Sequence, residues 1–132
     1  MKYLLFLSVV CFLSCNKNHS NASFSSLKVN SCESNLIGGN KVKICLLKVE
    51  ADSRCPLNAY CIHKGFVTAK FSVKINESLA DTILLDMKNY ESVNPSEIII
   101  EGYKISFQTL SPYPGEVGYS YNNLKAGLFV EQ

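Results

Sequence analysis

The chain lacks the motifs of several common catalytic and metal sites. Its 132 residues include two histidines and no tryptophan. They contain neither the Gly-x-Ser-x-Gly elbow of serine hydrolases nor the His-Glu-x-x-His motif of zinc proteases. The acidic residues are too dispersed to nominate a carboxylate pair for glycoside hydrolysis or a calcium-binding loop. We therefore predict a protein without catalytic residues, metal ligands or cofactors.

No stretch of the sequence concentrates charge of one sign. The 13 basic and 11 acidic residues give a formal net charge of +2 and are scattered without runs. Proteins that bind nucleic acid neutralise several phosphates with clustered lysine and arginine side chains. A nucleic-acid partner is therefore not expected.

Long hydrophobic runs are also absent, and one short run stands at the N-terminus. Met1 and Lys2 are followed by the uncharged residues 3–13, and the composition becomes polar directly after Cys15. A basic residue followed by a short apolar segment is typical of a secretory signal, whereas a membrane span needs about 20 apolar residues. We predict a signal peptide at residues 1–14.

The end of this run resembles a bacterial lipobox, in which a small residue precedes a cysteine that becomes lipidated. Ser14 is the small residue and Cys15 the cysteine, while Phe12 stands where the motif usually has Leu, Val or Ile. The resemblance implies that Cys15 is the first residue of the mature protein and carries the lipid that anchors it to a membrane. The alternative is an ordinary signal peptide that is cleaved further along.

The remaining residues divide into a tether and one domain. Residues 16–28 are mostly polar and rich in serine and asparagine, and such a segment buries too little apolar surface to order itself. We predict that residues 15–28 are the lipidated cysteine and a flexible tether. Residues 29–132 are then a single β domain of ordinary size.

Four of the six cysteines lie in the predicted domain, at positions 32, 45, 55 and 61. An even number of cysteines in an exported chain predicts disulfides. The gaps between them, of 12, 9 and 5 residues, differ from the spacing of zinc knuckles. Of the three possible connectivities we favour Cys32 with Cys45 and Cys55 with Cys61, because the last two are near neighbours across a turn in any fold.

Apolar residues from position 41 onward recur with a period of two. In residues 67–76 they occupy positions 67, 69, 71, 73 and 75, with mostly polar residues between them, which predicts a half-buried strand. Val42, Ile44 and Leu46 alternate in the same way before the phase changes at Leu47, which predicts a bulge or a two-sided strand. Further strands are predicted at residues 82–87, 97–100, 103–109 and 124–131.

No segment shows helical spacing over ten or more residues. Six or seven short strands in about a hundred residues predict an all-β domain. Its architecture is an antiparallel β-sandwich, of which an immunoglobulin-like domain is one form, or a small barrel. The alternation of side chains does not choose between these alternatives.

Residues 49–65 carry a resemblance to a group of known proteins. They are similar to the pattern Val-x-x-Asp-Ser-Arg-Cys-Pro, four residues, Cys, then x-Trp-x-Gly of uncharacterised secreted lipoproteins of Gram-negative bacteria, with His63 in the place of the tryptophan. Residues 103–107 and 110–114 resemble the closing part of those proteins, so the resemblance covers roughly residues 42–131. It implies a β domain, and it implies no activity. Together with the lipobox, it leads us to expect a lipid-anchored protein of the cell envelope, on the outer membrane of a Gram-negative bacterium. The matching residues are Val49, Asp52, Ser53, Arg54, Cys55, Pro56, Cys61 and Gly65.

Two loops carry the side chains that we expect at a binding surface. Tyr60 and His63 lie in or beside the short cysteine loop. Tyr113, Tyr119 and Tyr121 lie among turn residues further along. Rigid amphipathic rings on loops suit recognition, but the simpler interpretation of the three later tyrosines is that their rings cover the open end of the sandwich.

These observations predict a membrane-anchored lipoprotein with a non-enzymatic binding or envelope-structural domain, whose partner is an envelope protein or a glycan. Two alternatives stay open. One is a secreted hydrolase with an unrecognised site, in which His63 meets a carboxylate and a hydroxyl in a cleft. The other is a protease inhibitor that presents the Cys55–Cys61 loop, since a bridge lowers the entropy cost of docking.

Overall fold

Eight strands and one short 3-10 helix form within residues 19–132, the part of the chain that the computed structural model describes. The predicted signal peptide at residues 1–14 and the predicted lipidation site at Cys15 lie outside these residues. No helix within residues 19–132 has the length and hydrophobicity needed to cross a membrane. The strands are β1 (Asn21–Lys28), β2 (Ser31–Ile37), β3 (Asn40–Asp52), β4 (Val67–Ile75), β5 (Asp81–Asp86), β6 (Glu97–Ile100), β7 (Tyr103–Ser111) and β8 (Lys125–Glu131), and the helix is Tyr121–Asn123.

The strands form two antiparallel four-stranded sheets, ordered β1-β8-β7-β6 and β2-β3-β4-β5. The predicted all-β sandwich is confirmed, and the sheets do not close into the small barrel that was its alternative. Each sheet is a meander of consecutive strands, except that β1 pairs with β8. This order differs from that of an immunoglobulin domain, whose Greek-key connections place strands A, B, E and D in one sheet and C, F and G in the other.

The core lies between the two sheets. The predicted inward phase of β4 is confirmed, since the side chains at positions 67, 69, 71, 73 and 75 are all buried. Phe71 on β4 meets Phe107 on β7 edge to face, with ring centroids 5.3 Å apart. This contact joins the two sheets at the centre of the sandwich, because the two strands belong to different sheets.

The flexible tether predicted over residues 15–28 is wrong from Asn21 onward. Residues Asn21–Lys28 form β1, which pairs antiparallel with β8, and the side chains of Phe24 and Leu27 are fully buried. A register shift between these two residues places both on the core side although they are three positions apart. The serines around them face solvent, so the segment has the composition of a linker and the pairing of a strand.

Strand β3 of the second sheet contains two bulges and is joined to β2 by a disulfide. Cys32 and Cys45 lie directly opposite each other on β2 and β3 and are bonded, which confirms the first predicted pair. The phase change after Leu46 is a bulge in β3, where the register with β4 shifts between Leu46 and Lys48. A second shift follows between Val49 and Ala51. The first bulge keeps both Leu46 and Val49 buried while Leu47 reaches the surface.

The two ends of the sandwich differ in their connections. At one end, tight turns join β2 to β3, β4 to β5 and β6 to β7, and β1 begins there because Asn21 pairs with Glu131 at the end of β8. We call this the turn end. At the opposite end lie three longer connections, residues 53–66, 87–96 and 112–124. We call this the loop end.

Candidate functional site

A small covalently closed loop stands at the loop end. Cys55 and Cys61 are bonded with their Cα atoms 5.8 Å apart, which confirms the second predicted disulfide. The backbone N–H of Leu57 donates a hydrogen bond to the Pro114 carbonyl at 3.1 Å, so this loop lies against the 112–124 connection. The structure therefore brings together the two loops that the sequence singles out.

A buried ion pair supports the disulfide loop. Asp52 ends β3, and its carboxylate accepts hydrogen bonds from Arg54 Nε at 2.8 Å and Nη2 at 2.7 Å. The Arg54 backbone N–H also donates to Asp52 Oδ1, at 3.3 Å. The two side chains are 0% and 1% exposed. Pairing of this bidentate kind is what makes burial of both charges tolerable.

The Arg54 guanidinium also holds the 112–124 connection in place. Its Nη1 donates to the Leu110 carbonyl at 2.6 Å and its Nη2 to the Pro112 carbonyl at 3.2 Å. Its central carbon lies 4.6 Å from the centroid of the Tyr113 ring, a cation–π contact. Burial lowers the pKa of the guanidinium, but the hydrogen bonds and the charge of Asp52 raise that pKa by more. Arg54 therefore remains a cation that ties two loops together.

Two tyrosine hydroxyls contact Asp52 from the other side. Tyr119 Oη donates to Asp52 Oδ2 at 3.0 Å, and the Asp52 backbone N–H donates to Tyr121 Oη at 3.1 Å. The two rings meet edge to face with centroids 6.4 Å apart. Burial of the phenol and its hydrogen bond to the carboxylate raise the pKa of Tyr119 to about 12. Tyr119 thus fixes the position of its own loop.

A second buried carboxylate fixes the third connection of the loop end. Asp86 ends β5 and is fully buried. It accepts hydrogen bonds from Thr68 Oγ1 at 2.6 Å, from the backbone N–H groups of Val93 and Asn94 at 2.7 Å each, and from Asn94 Nδ2 at 3.1 Å. Burial raises the pKa of Asp86, but these hydrogen bonds lower that pKa by more, so its net pKa lies below the ordinary value.

The third connection also contacts the disulfide loop. The Glu91 backbone N–H donates to the Gly65 carbonyl at 3.1 Å. The Glu91 carboxylate lies 3.4 Å from His63 Nδ1, and the side chains of His63 and Glu91 are 79% and 55% exposed. The histidine–carboxylate pair therefore lies on the surface rather than in a cleft. Nearby, the hydroxyls of Tyr90 and Tyr113 are 3.5 Å apart.

The five side chains predicted to form a binding surface separate into two groups. Tyr60 and His63 stand in solvent, and Tyr60 is fully exposed. Tyr121 is 45% exposed, although its hydroxyl binds the backbone beneath it. Tyr113 and Tyr119 are half-buried and contact the Asp52–Arg54 pair. For these last two, the structure supports the interpretation in which the rings close the end of the sandwich.

Four exposed apolar side chains at the loop end escaped the sequence analysis. The sequence does contain a signal for their exposure. An apolar residue in a turn-rich segment without a period of two does not belong to the buried face of a strand. The four apolar side chains are those of Leu57, Ile62, Val93 and Val117.

The loops also border a pocket of about 370 Å³ lined by Lys64, Asn89, Tyr90 and Tyr113 beside the disulfide.

Neither a metal centre nor a relative assigns a role to the loop end. Within residues 19–132, no group of three or more histidine, cysteine, aspartate or glutamate side chains is placed to hold a metal ion. No protein-family model, curated protein or solved structure matches the chain. Rigid loops with exposed apolar tips are the feature of this end on which a function can rest.

Proposed function

We propose that the chain is a membrane-anchored lipoprotein of the bacterial cell envelope, and that its β domain is a non-enzymatic binding module for a protein partner. The lipid is on Cys15 and the contact surface is the loop end. One observation carries this proposal: apolar side chains stand exposed on loops whose backbone is held by a disulfide and by two buried carboxylates.

Five large apolar or aromatic side chains stand exposed on the loops of the loop end. Tyr60, Ile62, Val93 and Val117 are more than nine-tenths exposed, and Leu57 is 65% exposed. Burying such a side chain against a partner yields about 1.5–3 kcal/mol, and clustered apolar exposure commonly marks an interaction site. The bridge and the Asp52–Arg54 pair order the loops in advance, which lowers the entropy cost of binding.

The direction of β1 supports the same assignment. Its first residue, Asn21, lies at the turn end, and five residues separate it from Cys15. A strand as long as the nine-residue β4 spans about 30 Å. With the lipid on Cys15, the turn end faces the membrane and the loop end faces away from it, where a partner can reach the apolar tips.

A protease inhibitor is the second candidate, because the segment inside the Cys55–Cys61 bridge is closed, rigid and exposed. An inhibitor of this kind would occupy a protease active site and would be cleaved slowly or not at all. The hydrolase alternative receives no comparable support, since His63 and its carboxylate partner lie on the open surface. The experiment below separates a protease from other partners by identifying what is captured.

Site-specific photo-crosslinking in living cells tests the contact surface. A photoreactive amino acid at Tyr60, Ile62 or Val117 should give a discrete crosslinked product whose partner is identified by mass spectrometry. The matched control is Leu79, which is 93% exposed and lies in the turn between β4 and β5 at the turn end. Equal product at Leu79, or no product at any of the three loop positions, would contradict the proposal.

The anchor is tested separately with Cys15→Ala. This variant should leave the membrane fraction or accumulate unprocessed, because the lipid attachment site is gone. The mature N-terminus of the wild-type protein should be residue 15, and an N-terminus at any other residue would contradict lipidation. If the lipid is absent but the loop-end crosslinks form, the lipid anchor is contradicted and the proposed binding surface is not.

A further inference from the structure

A second concave surface lies outside the loop end, on the solvent face of three neighbouring strands. It is an open pocket of about 470 Å³ on β1, β8 and β7, a size within the usual range of small-molecule sites. Gly127 lies on the middle strand of the three, with Thr109 of β7 directly opposite. Because position 127 has no side chain, the middle of this face is a depression rather than a ridge.

Two bulges border the pocket. The register of β1 with β8 shifts between Phe24 and Leu27, and that of β7 with β8 shifts between Phe107 and Thr109. Bulges bend strands away from the mean plane of a sheet. A Cβ atom on residue 127 would lie 2.2 Å from Thr109 Oγ1, so the Thr109 hydroxyl lies directly over the glycine and forms part of the pocket floor.

The walls of the pocket are uncharged and combine apolar surface with hydroxyl and amide groups. None of the eight described residues that line the pocket carries an ionisable group. Exposed serines at positions 23 and 25 supply hydroxyls on the β1 side. On the β7 side, Gln108 donates through Nε2 to Ser106 Oγ at 2.6 Å. This bond fixes the amide and leaves its Oε1 to accept a hydrogen bond from a ligand.

One aromatic ring completes the surface. Phe129 is half-buried and lies in a row with Ser23 on one neighbouring strand and Ser106 on the other. A phenyl ring offers a rigid apolar face, and the hydroxyl and amide groups around it offer directional hydrogen bonds. A ligand that matches both must have one apolar face, many hydroxyl groups and no charge.

We infer that this pocket binds a neutral oligosaccharide. One pyranose ring lies with its C–H face on Phe129, and its hydroxyls bond to the serine and threonine hydroxyls and to Gln108 Oε1. An anionic ligand such as a nucleotide would find no cation among the lining residues, and an alkyl chain would leave the hydroxyls without partners. The site is independent of the loop end and of the partner proposed for it.

Saturation-transfer NMR on the full-length protein, in a zwitterionic detergent without a sugar headgroup, tests the inference. The probes are the tetrasaccharides of N-acetylglucosamine and of α-1,4-linked glucose. At least one should receive saturation, most strongly at the C–H protons on one face of a single ring. Phe129→Ala should lower the binding constant about tenfold, which is about 1.4 kcal/mol.

Two further variants keep the outcome clear. Ser23→Leu places an apolar side chain opposite Phe129 and should abolish binding with an unchanged melting temperature, because residue 23 is exposed. Ile99→Ala removes a 69% exposed apolar side chain from β6 of the same sheet and should leave binding unchanged. Absence of transfer to both sugars at about 5 mM, or equal binding by the wild type and Phe129→Ala, would overturn the inference.

Discussion

The Asp52 carboxylate and the Arg54 guanidinium, two residues apart in the chain, meet through two hydrogen bonds in a place that solvent does not reach. The other partners of both residues here belong to residues 110–121. The Arg54 guanidinium meets two carbonyls and one ring, the Asp52 carboxylate accepts from the Tyr119 hydroxyl, and the Asp52 backbone N–H donates to the Tyr121 hydroxyl. One local ion pair therefore connects the end of β3 to the connection between β7 and β8. The loop end depends on it for its shape.

Arg54→Met should lower the free energy of unfolding by about 3–5 kcal/mol, because it leaves the Asp52 carboxylate buried without a cation. Urea denaturation measures this loss. The matched control is Lys48→Met, which breaks an ion pair with Glu50 whose lysine is 66% exposed and should cost at most about 1 kcal/mol. Losses of similar size in the two variants would contradict the prediction, because they would show that the Arg54 pair contributes no more than a solvent-exposed ion pair.

Gly65→Ala should destabilise the protein far more than Gly102→Ala. Both glycines have positive φ, +78° and +82°, so both substitutions carry the backbone strain of that region, about 1–2 kcal/mol. At Gly65 the new Cβ would also lie 1.9 Å from the Ser53 carbonyl oxygen, whereas at Gly102 nothing lies within 4 Å. Thermal unfolding of the two variants isolates the close approach, and equal melting temperatures would contradict it.

Asp86 should contribute stability that is lost in acid. Its pKa in the folded protein is lower than in the unfolded chain, where it is about 3.9. The contribution is therefore complete above about pH 4 and disappears as the pH falls through the folded pKa. The difference in unfolding free energy between the wild type and Asp86→Asn should shrink from pH 7 to pH 2. Asp81→Asn, on the exposed first residue of β5, is the control, and a difference that stays constant with pH would refute the assignment.

Tyr119 should contribute stability that is lost at alkaline pH. Its pKa rises from the ordinary value of about 10 to about 12 on folding, so its contribution is complete below pH 10 and declines as the pH rises toward 12. Tyr119→Phe should cost about 1.5–3 kcal/mol at neutral pH, the value of a hydrogen bond to a charged group. It should also remove the phenolate absorbance change near pH 12. Tyr60→Phe, at a fully exposed ring, should leave the stability unchanged.

The positions of strands are predicted best where the strand has one buried face and one solvent-exposed face. β4 is recovered at its observed position because its apolar and polar residues alternate along the chain. β6 is recovered as a short apolar run of three isoleucines that follows a turn-rich segment. β1 is missed because its bulge moves Phe24 and Leu27 out of alternation and its serines imitate a linker. β2 is missed as well, since five of its seven residues are polar or cysteine and its inward positions before Ile37 are only half-buried.

The supporting role of the tyrosines depends on pairings across long stretches of chain. Tyr119 and Asp52 are 67 residues apart, and Arg54 and Leu110 are 56 apart. No local sequence pattern encodes such a contact. Aromatic content alone therefore could not distinguish a tyrosine that packs against the Asp52–Arg54 pair from one that is exposed for binding. The sequence did single out both loops, because aromatic side chains on loops of a rigid scaffold favour recognition.

The pairing of β1 with β8 changes how the domain explores the space above a bilayer. A thirteen-residue flexible segment would have a typical reach of about 20 Å and would let the domain turn freely. The five residues between Cys15 and Asn21 allow about 20 Å only when fully extended. With the proposed lipid on Cys15, this short connection would keep the turn end of the domain close to the bilayer. Such confinement would raise the effective concentration of the loop end for a partner held at the same membrane.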